Sequence, residues 1–519
     1  MNVSRERGWL AGLLILAFTL RALHADQPIV EGYVGRQIPT AMVARNLDRG
    51  SGFWHPRLDT APEPNLFLVE PPIYAAMVVG LQRLTGLGLD PTGRLTSALM
   101  IALGGWGLHG LVRRRDGPAA ALGAVAAFAL FPITIRYGRA FQPDATALGL
   151  VVAALRCWDD AEADGSRVKL VLGVTLLAVG LAMKVTFAYV LLPLLFAIIR
   201  SGPRPKRMRT LAIATLLPAC IWYAHAARLL GAGTGSRASA DNGAIWLRSL
   251  VPTAWLAAST YRTAFVNLFV RGFTPLGSAL AVAGIVGSGG KLLRIWALAA
   301  ALAMGVLATK AHHEYYWMAF APPLAWGIGR MLVGRRPWIA VSAWIVLAGL
   351  AAVLARPTWR TPVEWADLGA TAAVARATVP AGVWVVAPEA LLYEADRTGC
   401  RLEFEAGSQR RAAGEWGATI AVDDPYALVE FYRSQGARYL ADTGPDTGPG
   451  RERRRALREA ARRRARVIVD RPGVFLAELV GPIGGPNGAE HAPTRAARDA
   501  PRLRPLEGER PQGRRPDGL

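Results

Sequence analysis

Four basic clusters punctuate a chain of apolar runs long enough to cross a bilayer, and that alternation limits the fold more than any single motif does. The clusters stand at residues 5–7, at Arg113-Arg114-Arg115, at residues 206–209, and at Arg330 with Arg335-Arg336. Short basic loops beside apolar spans face the cytoplasm, so all four belong on one side. Counting the run 71–86 as a full span would put the arginine triplet on the other side. That run is short for a crossing, opens on Pro71-Pro72 and contains Gln82 and Arg83, so it reads as a helix lying in the interface. The remaining runs predict an α-helical polytopic membrane protein with about eleven transmembrane helices, near 8–24, 94–112, 117–136, 145–158, 169–184, 185–200, 210–228, 272–289, 293–309, 315–333 and 337–355. Parity puts the N-terminus in the cytoplasm and residues 25–93, 137–144, 229–271 and everything after 356 outside. The turn at Met183-Lys184 and the segment 310–314 also face outward. No small-residue cleavage site follows the first run, which therefore reads as an uncleaved anchor in the plasma (inner) membrane.

Composition agrees with this reading and excludes others. A mean hydropathy of +0.25 with 52% hydrophobic residues and 16 Trp does not suit a soluble globular chain. The net charge of +22 has the sign of a nucleic-acid binder, but much of the excess lies in short loops beside apolar runs and in the stretch 451–466. Membrane lipids are the partners expected for it, and no nucleic acid is. Cys157, Cys220 and Cys400 follow no metal-ligand spacing and make no disulfide framework.

The chain changes character after Pro357, dividing into a membrane domain over 1–356, with the outer loop 25–93, and an extracytoplasmic α/β domain over 357–480. Helical spacing marks 363–378, 427–435 and the basic run 451–466; strands are expected at 383–387, 438–441, 467–469 and 474–479. Residues 481–519, rich in Pro, Gly and Arg, read as a disordered basic tail.

The outward-facing residues form one set of carboxylates and cations. The first outer loop carries Asp26, Glu31, Arg36 and Gln37, then residues 40–46 on an expected amphipathic surface helix, then Asp59 and Glu70-Pro71-Pro72. The second adds Arg136, Arg139 and Asp144; Lys184 sits at a helix-to-helix turn, and Lys310-Ala-His-His-Glu-Tyr-Tyr316 completes the set. An ionised side chain in the hydrocarbon costs about 2.5–3.5 kcal/mol on insertion scales, so charges at this depth are paired, solvated in a cavity, or used.

Taken in order, these strings resemble the GT-C superfamily of membrane glycosyltransferases, in particular the family 39 type that includes protein mannosyltransferases and aminoarabinose transferases. The resemblance runs over about residues 8–335. It is carried by an acid ahead of Arg36-Gln37 and residues 41–46, Glu70-Pro71-Pro72-Ile73-Tyr74, Gly93-Arg94-Leu95, Tyr137-Gly138-Arg139 to Pro143-Asp144, Lys184, Trp222-Tyr223-Ala224-His225-Ala226, and His313-Glu314-Tyr315-Tyr316 before Pro322-Pro323. The resemblance implies a GT-C fold, a polyprenyl-phosphate sugar donor, and an acid of the first outer loop as catalytic base. Many relatives place Asp-Glu after the first helix; here Gln27 follows Asp26 and the next acid is Glu31. Members with a downstream Arg-Gln pair carry the acid five residues before that arginine, which favours Glu31, with Asp26 second. Glu70 stands where many relatives have a lysine or histidine, a reversal that admits a divalent cation between Glu70 and the lipid phosphate.

Transfer from a lipid phosphate needs a base for the acceptor hydroxyl and preorganised cations for the leaving phosphate. Glu31, Asp26 and Asp144 are the candidates for the first task, and Arg36, Arg139 and Lys184 for the second. Gln37, Glu70, Tyr74, His313 and Tyr316 are candidate substrate contacts. The acceptor is a glycan, a lipid or a protein hydroxyl. Structural readings stand beside these: Asp144 as the cap of a helix starting at Ala145, Arg36 and Arg139 as snorkelling anchors, His312 and His313 as interfacial residues, the aromatic run as a membrane belt, and Pro322-Pro323 as a kink. A polytopic lipid or solute transporter and a non-catalytic envelope-assembly protein are the alternative functions; the paired halves that mark many transporters are missing from the sequence.

Overall fold

The computed structural model describes residues 2–200, 205–236, 239, 257–287, 290–445 and 451–479, without the side chains of 200, 205–212 and 309; the expected tail 481–519 lies outside the described residues. Residues 1–480 form one compact unit. It is mostly helical, and the helices fall where the apolar runs are.

The first helix, α1 (Val3–Ala22), leads to the segment expected outside, called the outer segment for that reason, which contains α2 (Val34–Asp48) and α3 (Ile73–Thr85). The helices α4 (Leu89–Leu130), α5 (Pro132–Tyr137), α6 (Pro143–Asp164) and α7 (Arg167–Met183) follow, then a 3-10 turn, α8 (Leu191–Arg200) and α9 (Pro205–Gly231). Next come α10 (Ala258–Phe265), a π-helical turn (Val266–Gly272), α11 (Pro275–Val286), α12 (Lys291–Val306), a 3-10 turn (Glu314–Phe320), α13 (Ala321–Leu332) and α14 (Pro337–Ala355).

By length and composition, three stretches among the described residues are apolar enough to cross a membrane: 89–130, 213–231 and 337–365. A bent pair, 258–272 with 275–286, makes a fourth if counted as one span. The expected spans 94–112 and 117–136 are fused in α4, whose helical backbone is interrupted at Gly117 (φ 82°), a left-handed conformation that favours glycine. The second of them ends early because the chain turns at Phe131 and restarts as α5 on Pro132. Pro322-Pro323 does not kink a helix; it lies in the first turn of α13, where missing amide protons cost nothing.

Small residues let the helices touch through their backbones. A Cβ added to Gly149 on α6 would run into the Met100 carbonyl of α4, and one on Gly284 of α11 into the Gly327 carbonyl of α13. This is the close approach that small residues permit between membrane helices. The expected cytoplasmic ends are tied by charge: Glu6 of α1 pairs with Arg113, Asp159 and Asp160 of α6 pair with Arg114 and Arg115, and Asp116 pairs with Arg330 of α13.

The C-terminal region builds a mixed sheet from β1 (Val385–Ala387), β2 (Gly399–Arg401), β3 (Tyr439–Thr443), β4 (Arg466–Arg471) and β5 (Val474–Glu478), in the order β2-β1-β3-β5-β4. The β1 strand pairs parallel with β2 and β3; β5 pairs antiparallel with β3 and β4. Its helices are α15 (Leu368–Thr378), α16 (Glu389–Ala395), α17 (Ala406–Gly414), α18 (Ala427–Ser434) and α19 (Arg451–Arg464). β2, α16 and α17 were not expected from sequence. The region is stitched to the outer segment: Ala61 N–H donates to Gly399 O at 2.8 Å and Gly399 N–H to Asp59 O at 3.0 Å, adding residues 59–61 beside β2.

The α2 helix therefore departs from expectation. Residues 36–44 are buried, because α16 and α3 cover a helix expected on the surface.

The backbone contact at Gly149 supplies a test. Gly149→Ala is expected to lower stability by about 1–3 kcal/mol through overpacking, read as an earlier thermal unfolding in detergent, whereas Gly349→Ala, with open space around its Cβ, leaves it unchanged.

Candidate functional site

A cavity of about 130 Å³ opens between the first outer segment, the turn after α7 and the segment before α13. Four ionisable side chains form a chain of alternating sign along it. Arg36, in the first turn of α2, pairs with Glu70 Oε1, and Glu70 Oε2 is 3.5 Å from Lys184 Nζ. Lys184 Nζ is in turn 3.3 Å from Asp144 Oδ1. All four are buried. Arg36, Glu70 and Lys184 line the cavity, while Asp144 stands behind Lys184. Two groups keep unused capacity: Arg36 Nε and Asp144 Oδ2 have no hydrogen-bond partner.

The chain of charges arises from local structure. Lys184 ends α7 in extended conformation (φ −152°), which lets its ammonium turn inward. It lies 5.5 Å from the centroids of both Tyr315 and Tyr316. The sequence shows no partner near Lys184; both carboxylates come from distant segments. Asp144 is not the cap of α6: the cap position is Gln142 and the helix starts on Pro143, so Asp144 falls in the first turn with its carboxylate on Lys184. Arg36 and Arg139 do not snorkel, since they are 6% and 0% exposed.

Aromatic rings make the rest of the wall. Tyr33, Phe67, Tyr223, His313, Tyr315 and Tyr316 line it with Lys310. The Tyr33 and His313 ring centroids are 4.6 Å apart, and Arg36 lies over Phe67 at 5.0 Å. Burial, with His312, Lys310, Lys184 and Arg36 nearby, lowers His313 to about 3, so its imidazole is neutral and adds no charge to the cavity. Burial also raises the Tyr33 phenol, which feels Arg36 and, from the C-terminal region, Glu389 and Arg401. Tyr33 and Phe67 were missed from sequence because single aromatics in a polar loop carry no periodic signal.

A second cluster holds the remaining expected residues away from the cavity lining. Glu31 is buried, with Oε2 2.6 Å from Arg94 Nη2 and Oε1 3.1 Å from Arg94 Nε. Arg94, fully buried on α4, also donates to the carbonyls of Ala25, Gln27 and Pro28. Arg139 Nε is 3.7 Å from Glu31 Oε1, and Arg139 Nη2 donates to His24 O at 2.7 Å. Burial, with Arg94 close by, lowers Arg139 to about 10, which leaves it charged at neutral pH. Gln37 joins Glu31 O to Phe141 N–H, and Tyr74 bonds Gly93 O at 2.7 Å and packs edge-on against Phe141. Gln37 and Tyr74 thus brace the wall from behind, and neither lines the cavity. Asp26 is exposed.

No group of three His, Cys, Asp or Glu is arranged to hold a metal among the described residues. Glu70 already faces two cationic side chains.

Two perturbations follow from these pairings. Arg94→Met strands the buried Glu31 carboxylate and Glu31→Gln leaves the buried Arg94 charge unmet, so each is expected to cost about 3–5 kcal/mol, read by unfolding in detergent. A His held below its ordinary value of 6.5 takes up its proton only on unfolding, so its share of stability is present above pH 6.5 and lost as pH falls towards 3. His313→Gln should flatten that part of the stability–pH curve.

Residues 69–226 match the family described as dolichyl-phosphate-mannose-protein mannosyltransferase. No curated protein matches the chain. Among solved structures it is similar to ArnT from Cupriavidus metallidurans bound to undecaprenyl phosphate, with a TM-score of 0.61 at 14% identity, over 94% of this chain and 100% of that one. It is similar to the archaeal oligosaccharyltransferase AglB from Archaeoglobus fulgidus in complex with an inhibitory peptide and a dolichol-phosphate, with a TM-score of 0.51 at 13% identity, over 84% and 69%. The arabinofuranosyltransferase AftD from Mycobacteria gives 0.52 at 16% identity, over 93% of this chain and 40% of that one. The matched segment carries Glu70, Asp144 and Lys184, and the likeness to the ArnT structure, which spans 94% of this chain, is one of fold.

Proposed function

We propose that the protein transfers a sugar from a polyprenyl-phosphate donor to an acceptor hydroxyl on the extracytoplasmic face of the plasma membrane, crossing it about eleven times with the N-terminus inside and the region 357–480 outside. The observation that carries this reading is the cavity in which Arg36 and Lys184 face Glu70 among six aromatic rings. The structures of ArnT and AglB, which hold undecaprenyl phosphate and dolichol-phosphate, support a lipid-phosphate donor.

Arg36 and Lys184 are the donor-phosphate ligands, since cations fixed before the reaction stabilise charge as it develops on the leaving phosphate. Arginine suits a bidentate contact and lysine a point contact. Arg139, behind the wall, steadies the Glu31 cluster instead of touching phosphate. The rings of Tyr316, His313 and their neighbours offer the apolar faces and polar edges that shape a small-molecule pocket.

The acceptor proton goes to Glu31, the first-segment acid that the resemblance implies, once substrate binding draws its carboxylate from Arg94; catalytic contacts commonly tighten only when substrate is present. Glu70 is the competing assignment, favoured by its place in the lining. Asp144, held on Lys184, orients that ammonium, and Asp26 is too exposed to compete. The acceptor, a glycan, lipid or protein, is met on the side of the C-terminal region.

The test is turnover of a panel of polyprenyl-phosphate sugars by protein reconstituted in liposomes, with an extract of candidate acceptors. Wild type should consume one donor. Lys184→Met and Arg36→Gln should slow it by about 100-fold or more, and whichever of Glu31→Gln and Glu70→Gln abolishes it names the base. Donor binding without turnover of any donor would shift the reading to a carrier or an assembly protein, and vesicle uptake would separate those two.

A further inference from the structure

One route from the C-terminal region to the candidate site runs along α2. The α2 helix holds Arg36 in its first turn and Arg45 in its last. They stand nine positions apart, about 13–14 Å at the usual rise. Its middle is packed on all sides, with residues 36–44 buried; Pro39 leaves the Gly35 carbonyl without its ladder donor, and Thr40 Oγ1 donates to the neighbouring Arg36 O at 2.8 Å. This burial confines the helix along its length and gives its two ends a common seat.

Arg45 is held from two sides. Its Nη1 donates to Tyr393 O at 2.6 Å and lies 3.2 Å from Asp396 Oδ1, both on or just after α16. Its Nη2 donates to Asp59 Oδ2 at 2.6 Å, and its guanidinium stacks 4.5 Å from the Tyr393 ring centroid. The neighbours reinforce the contact: Asn46 donates to Asp59 Oδ1 at 3.0 Å, and Arg49 reaches both oxygens of Asp396 at 2.7 Å. Tyr393 in turn bonds Asp90, in the first turn of α4, at 2.5 Å. One arginine thus joins the outer segment, the C-terminal region and, through Tyr393, the membrane helices.

We infer that Arg45 is a positioning residue, which transmits the seating of α16 along α2 to Arg36 in the cavity. The inference rests on the reading of Arg36 as a donor-phosphate ligand. It gives the C-terminal region a part in donor binding, separate from any contact that region makes with an acceptor. Arg45 itself is absent from the cavity lining, so its effect on the donor is transmitted by α2.

The experiment compares Arg45→Ala, Arg45→Lys and Asp396→Asn in the full-length reconstituted protein, with two readouts. One is amide hydrogen exchange over residues 34–41; the other is KM and kcat for the donor. Arg45→Ala should speed exchange over 34–41 and raise the donor KM about tenfold with kcat within about threefold, since a small misplacement of a positioned group weakens binding. Arg45→Lys, which keeps a charge but loses the fork and the stacking, should fall between. Arg462→Ala, whose partner Asp470 lies on β4, serves as a surface control and should change neither readout. A folded Arg45→Ala protein with wild-type exchange, or with faster exchange but an unchanged KM, overturns the inference. If Arg45→Ala fails to fold, Arg45→Lys and Asp396→Asn carry the same comparison. If wild type turns over no donor, the functional reading fails by itself, and hydrogen exchange still reports whether Arg45 fixes the Arg36 end of α2.

Discussion

The rest of the site depends on a single arginine with no exposed surface. Arg94 projects from α4 and spends its donors on the Glu31 carboxylate and on three consecutive-loop carbonyls, those of Ala25, Gln27 and Pro28. A buried guanidinium is tolerable only when its donors are satisfied and its charge is met. The chain after α1 satisfies it by folding back over α4. That fold-back sets where Tyr33 starts α2, and so where Arg36 meets the cavity. Gln37 fastens the same turn to the backbone of Phe141, on the far side of the α5–α6 loop.

Below this polar layer small residues bring the helices into backbone contact. Gly149 against Met100 and Gly284 against Gly327 bring backbones together. Arg21 works at the break between α4 and α5, donating to the carbonyls of Ala17, Ala129 and Thr134 and to the Thr134 hydroxyl. It satisfies carbonyls that the turn at Phe131 would otherwise leave bare, which a membrane interior penalises heavily. The polar residues within the helical region thus answer backbone needs first.

Much of the fold was legible because its signal is local. Apolar runs and basic loops marked the helices, and the alternation of apolar residues located four of five strands. β2 escaped because three residues, Gly399–Arg401, carry no periodicity, and their pairing is set by β1 and by the outer segment. The site was legible as a collection but not as an arrangement. Arg36, Glu70, Lys184, His313 and Tyr316 meet in one cavity, as expected of residues on one face. Glu31, Gln37 and Tyr74 were placed with them, yet their partners Arg94, Phe141 and Gly93 come from other helices, which a single sequence cannot pair. The burial of α2 was missed for the same reason: its polar face meets the C-terminal region, and charges that look solvated in sequence are neutralised across that contact.

The alternating row from Arg36 to Asp144 has a consequence for any anion that enters. Within the row, each cation already faces a resident carboxylate. An incoming phosphate gains only the difference between its own hold on the cations and that of Glu70 and Asp144. The carboxylates are therefore built-in competitors that never diffuse away. They weaken the grip on every phosphate alike and stand ready to retake the cations as soon as one loosens. A row of this kind favours exchange over retention, and makes departure of an anion as much a property of the architecture as its arrival.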